Sequence, residues 1–146
     1  MTARRFVAAI LVAAASASVA AQGGTVVADV RKNCQVTLPA GWTATGSTGD
    51  SPDKAISATV NGAVARASFA DAKTMVQGAM KPTNVLQDTA QRFVYAFDPG
   101  PLAHGKTGRY VVAATTPTCA VSLMFPASTG DGVLTPIIDS LAAVKK

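Results

Sequence analysis

The sequence predicts an α+β domain, a mostly antiparallel twisted sheet flanked by two helices. Short β-rich runs with period-two alternation dominate residues 34–125, while two stretches switch to a helical period. The loops between the β-runs are too short for parallel crossovers, so neighbouring strands should pair antiparallel. The chain has 146 residues, 49% of them hydrophobic and 14% charged, which suits one globular domain and excludes a repeat array or a disordered tail.

The first segment reads as an export signal. Arg4 and Arg5 form a basic start, Phe6 to Ala15 an apolar run, and Ser18-Val19-Ala20 a small-x-small cleavage signal. That run falls short of the roughly 20 residues needed to cross a bilayer. Residues 1–20 are therefore expected to be removed, with cleavage after Ala20 or Ala21, leaving a protein that is periplasmic or secreted. The residue after Ala20 is alanine, so a lipid-anchoring cysteine is excluded and no membrane anchor should remain after processing.

Residues 21–33 form a lead-in whose Thr25-Val26-Val27 can add an edge strand, and the domain proper spans 34–146. Cys34, Val36 and Leu38 share one face of a strand that turns at Pro39-Ala40-Gly41-Trp42. Thr45 to Pro52, rich in Gly and Ser, reads as a flexible loop. Ala55 to Val60 is a second strand with Ile56, Ala58 and Val60 inward, closed by the turn dipeptide Asn61-Gly62. From Ser68 to Lys81, Phe69, Ala72, Val76, Ala79 and Met80 recur at helical spacing; Ser68 with Asp71 marks the start and Pro82 the stop. Val85 to Phe97, interrupted near Asp88, Lys106 to Thr115 and Cys119 to Phe125 are strands. Thr135-Pro136 then suits the opening of a last helix, with Leu134, Ile137, Ile138, Leu141 and Val144 as its stripe and Lys145 and Lys146 at its end.

Cys34 and Cys119 are the only cysteines, and an exported chain with an even count most simply pairs them. Both fall on the inward faces of their strands, so they can meet across the core. A C-x-x-C redox spacing is absent.

Charge excludes little but is instructive. Loss of the leader takes two of the 13 basic residues, leaving 11 against 8 acids and a net charge near +3. The remaining Lys and Arg are scattered, with Arg31-Lys32 and Lys145-Lys146 the only adjacent pairs, so nucleic acid is not an expected partner. A domain of this size carries its own core, and no cofactor is expected.

The strand end Leu38-Pro39-Ala40-Gly41-Trp42 and the closing Ile138-Asp139-Ser140-Leu141 resemble the PsbP-like family and its Mog-type relatives. The resemblance covers about residues 34–144 and implies an α/β/α sandwich. It also implies a non-catalytic binding or assembly module; it transfers no functional residue, since the matching positions look like fold determinants.

Candidate chemistry is sparse. His104, the lone histidine, can serve as a general base beside Asp98 or simply be a solvent-exposed loop imidazole. No serine elbow, phosphate-binding loop or dinucleotide glycine pattern is present. If Phe97 and Lys106 flank a hairpin loop, Arg92 faces Val111 and Arg109 faces Val94, which sets both guanidiniums on one face a diagonal apart. So placed, they can grip a carboxylate or phosphate bidentately, or can instead cover apolar neighbours on the sheet surface. Phe93, Tyr95, Phe97 and Tyr110 take the opposite face, as core rather than as a ligand platform, and Trp42 reads as a plug at a sheet end. The expected function is an exported interaction module for an envelope protein or an anionic small ligand. The alternatives are a small hydrolase using His104 and an inhibitor of an exported enzyme.

Overall fold

The computed structural model describes residues 23–80 and 82–146; the expected leader and its cleavage point lie outside them. The described residues form ten strands in two antiparallel sheets with two α-helices. The strands are β1 (Thr25–Ala28), β2 (Cys34–Leu38), β3 (Thr43–Thr45), β4 (Thr48–Asp50) and β5 (Ser57–Asn61), then β6 (Asn84–Asp88), β7 (Arg92–Phe97), β8 (Lys106–Ala113), β9 (Cys119–Pro126) and β10 (Ala142–Ala143). Helix α1 (Phe69–Met80) follows β5, and α2 (Asp131–Asp139) follows β9. The large sheet runs β3-β4-β5-β9-β8-β7-β6 and the small one β1-β2-β10.

This corrects both the expected α+β class, one sheet flanked by two helices, and the α/β/α sandwich: the described residues are mostly β, in two sheets. Three segments account for the difference. The lead-in forms β1, in full register with β2 from Thr25↔Leu38 to Ala28↔Gln35. The Gly- and Ser-rich stretch read as a loop is the β3–β4 hairpin, where Gly49 is buried against Leu38 so closely that a Cβ there would clash with the leucine side chain. The last helix begins at Asp131 rather than Thr135 and carries Pro136 inside it. It stops at Asp139, after which Ala142 and Ala143 pair with Gln35 and Cys34.

Two cores follow from strand parity. On one face of the large sheet, Val94, Val111, Val121, Leu123 and Phe125 pack against Val36 and Leu38 of the small sheet and against Leu134, Ile137 and Ile138 of α2. Trp42 closes this core as expected. On the other face, Phe93, Tyr95, Phe97, Tyr110 and Val112 lie under Ala72 and Val76 of α1. Helix α1 starts as the sequence indicates: the Ser68 hydroxyl accepts from the Asp71 amide at 3.1 Å and donates to the Asp71 carboxylate at 2.7 Å. Ala79, expected on its buried stripe, is exposed.

The Cys34–Cys119 disulfide is present, with Cα atoms 5.5 Å apart. It ties β2 of the small sheet to β9 near the middle of the large one, and both residues are fully buried. Such a bond is consistent with an oxidising compartment. Among the described residues, no helix is long and apolar enough to cross a membrane.

Candidate functional site

The arginines singled out from the sequence do share a face, but the register differs from the one expected. Arg92 pairs with Ala113 and Arg109 with Ala96, two residues further along than the hairpin estimate. Phe97 pairs with Gly108 rather than with Lys106, and its ring lies against that glycine, where a Cβ would clash with it. An even shift keeps the face and changes the spacing: the two arginines stand four residues apart along the sheet, about 13 Å at strand rise. Helix α2 lies across that span. Its first and last residues, Asp131 and Asp139, are about 12 Å apart at helix rise. Arg109 bonds Asp131 at 2.7 Å and Arg92 bonds Asp139 at 2.6 Å. Arg109 also lies over the Phe125 ring, 5.6 Å from its centroid. Both guanidiniums thus fasten the two ends of α2, and Arg92 adds a cation at the negative end of the helix dipole.

His104 sits elsewhere. It ends the 3₁₀ turn Pro101–Ala103 in a left-handed conformation, φ 53°, with an exposed side chain. Asp98 spends its Oδ1 on the Gly100 amide at 2.8 Å. No hydrogen bond joins His104 to Asp98, and the neighbouring hollow of about 530 Å³ is lined by Asp98, Lys106 and Thr107 but not by His104.

The concave site with unpaired charge lies at the opposite end, where β5 finishes and β2 begins. The chain turns from β1 to β2 around Asp29, which is only 5% exposed. Its Oδ1 accepts from the amides of Asn33 and Cys34, both at 2.7 Å, and its Oδ2 from the Arg31 amide at 2.9 Å. A buried carboxylate so satisfied fixes the loop. Lys32 takes a left-handed conformation, φ 52°, and its amide donates to the Asp29 carbonyl. The tip Val30-Arg31-Lys32 consequently stands out in solvent.

The facing wall is the 3₁₀ turn Gly62–Arg66, capped by Asn61, whose Oδ1 accepts from Ala63 at 2.9 Å while its Nδ2 donates to the Tyr110 hydroxyl at 2.8 Å. Gly62 lets the two walls close, since a Cβ there would clash with the Asp29 carboxylate. Between the walls is a cleft of about 490 Å³, lined by Arg31, Arg66, Asn33 and Ser47 among others. Among the described residues the ion pairs are Lys73–Asp88, Arg92–Asp139 and Arg109–Asp131, so neither Arg31 nor Arg66 meets a carboxylate. Two arginines lining one hollow can donate paired hydrogen bonds to a phosphate or carboxylate. Sequence reasoning noted Arg31 only as part of a basic pair and passed over Arg66. The two come from different sheets, and no local pattern links them.

Burial raises the Tyr110 hydroxyl above its ordinary range, partly offset by its bond from Asn61. Tyr95 is raised further, by burial first and then by Tyr110 stacked beside it, and its buried hydroxyl has no hydrogen-bond partner. Away from the cleft, the Ser51 hydroxyl and the Ala55 amide hold Asp53 below the usual carboxylate range.

No family model, curated protein or solved structure matches the chain, and the resemblance to the PsbP-like family rests on its two short motifs.

Proposed function

We propose that this protein is an exported binding module that captures an anionic group, phosphate or carboxylate, in the Arg31/Arg66 cleft. The observation that carries this is the pairing state of its arginines: the two on the sheet face are engaged by α2, whereas the two lining the cleft retain their donors. Buried Asp29 and the tight Gly62 contact fix the backbone of both walls, which limits the ordering cost of binding to the arginine side chains. The leader-like start and the disulfide support a periplasmic or secreted location.

Amide NMR during titration with inorganic phosphate and, separately, acetate tests the proposal. Shifts confined to residues 29–33 and 61–66 are expected. Shifts centred on Arg92 and Arg109, or none at all, would overturn it.

A further inference from the structure

The cleft has a continuation. Asn33 lines it and also lines a second hollow of about 540 Å³, whose walls carry Lys145, Lys146, Thr116 and Pro117. Arg31, Lys32, Arg66, Lys145 and Lys146 therefore gather at one end of the molecule, and none is ion-paired among the described residues. The side-chain carboxylates of Asp29, Asp139, Asp88 and Asp71 are engaged, by three amides, Arg92, Lys73 and Ser68 respectively.

We infer that this end binds a linear polyanion, a chain bearing phosphate or carboxylate groups at intervals. It would run from the Arg31/Arg66 cleft past Asn33 into the hollow at Lys145 and Lys146. The inference rests on the anion-binding reading of the cleft. A single small anion neutralises one or two of five clustered cations and leaves the others repelling one another. A chain meets all of them and releases its condensed counterions, which gives avidity to individually weak contacts. Neither hollow has an aromatic side chain in its wall, so nothing is offered for a nucleobase to stack on. Val30, 87% exposed, is the one large exposed apolar side chain lining them, far from the apolar face with which an interfacial segment enters lipid.

The test compares long-chain inorganic polyphosphate and polygalacturonate with inorganic phosphate over a range of salt concentrations, for the purified protein, Lys145→Ala/Lys146→Ala and Arg31→Ala/Arg66→Ala. At least one polymer should bind ten times tighter than phosphate or better, and which one does so separates a phosphate from a carboxylate chain. Removing the two lysines should leave phosphate binding intact and lower the slope of log affinity against log salt by roughly 1.4 to 1.8, at about 0.7 to 0.9 per contact. A polymer no tighter than phosphate, or an unchanged slope, would overturn the chain and leave the cleft reading standing. Phosphate binding that survives loss of Arg31 and Arg66 would overturn the cleft itself. Phosphatidylglycerol vesicles bound as tightly as either polymer would assign the end to a membrane surface and overturn the inference. All the substituted side chains are exposed, and unchanged melting confirms that the variants fold.

Discussion

Arg92 and Arg109 each end on a carboxylate of α2, whereas Arg31 and Arg66 line a hollow whose one carboxylate, Asp29, is held by backbone amides and pairs with neither. The side chains are the same and the number is the same. On the sheet face, the spacing of two strand positions matches the length of a nine-residue helix, and the charges are spent on fastening it. At the cleft, the one nearby acid, Asp29, is turned inward and consumed by backbone amides, so the charges face solvent unspent. A guanidinium's role here is set by where the nearest carboxylate points.

The comparison can be broken most forcefully at the disulfide, which holds the strand that supports the cleft loop against the sheet that carries both strand arginines. Cys34→Ser/Cys119→Ser opens a loop of sequence separation 85 and should cost about 4 to 5 kcal/mol in urea unfolding on the chain-entropy account. A loss below about 1 kcal/mol would mean that packing alone joins the two sheets. Next, Arg31→Ala/Arg66→Ala should weaken phosphate binding at least tenfold while changing stability by no more than about 0.5 kcal/mol, as for exposed sites without partners. Arg92→Ala/Arg109→Ala should do the reverse. Two half-exposed ion pairs and one ring contact should cost about 1 to 2 kcal/mol in unfolding free energy, with binding unaffected.

The smallest effect sharpens the contrast from a neutral site. Tyr95→Phe removes the buried hydroxyl that lacks a partner and should raise stability by about 1 kcal/mol at neutral pH. The folded protein holds this proton more tightly than the unfolded chain does. Its contribution is therefore fully present below the ordinary tyrosine value of 10.0 and is lost as pH rises above it. The alkaline fall in stability should be shallower in Tyr95→Phe, and an equal fall in both proteins would show that Tyr110 or another group governs it.

How much of this was legible in the sequence depended on whether local pattern or distant partners decided the outcome. The two cysteines of a chain with an export signal already point to a disulfide, and alternation, which sets Cys34, Val36 and Leu38 inward and Cys119 on a matching face, agrees with it. The helical period and the Ser68-Asp71 signal located α1 to within a residue or two at each end. The β3–β4 hairpin was not legible, because Thr, Gly and Ser there pair through backbone and bury a glycine under Leu38, leaving no apolar alternation to read. The end of α2 differs for a related reason: Leu141 and Val144 continue the helical stripe, yet the open edge of β2 captures Ala142 and Ala143 as a strand and Asn33 accepts from the Val144 amide. Arg92 and Arg109 were recognised as a pair on one face. Their spacing follows from Phe97 pairing with Gly108 rather than Lys106, and their occupation from acids some twenty to fifty positions away. Arg31 and Arg66 meet only once the small sheet has packed on the large one.

The most direct measurement titrates inorganic phosphate, under one set of salt and pH conditions, into the wild-type protein, Arg31→Ala/Arg66→Ala and Arg92→Ala/Arg109→Ala. Binding should be lost only in the first variant and should match wild type in the second. Binding that disappears only with Arg92 and Arg109, or persists in both variants, would contradict the assignment of the cleft.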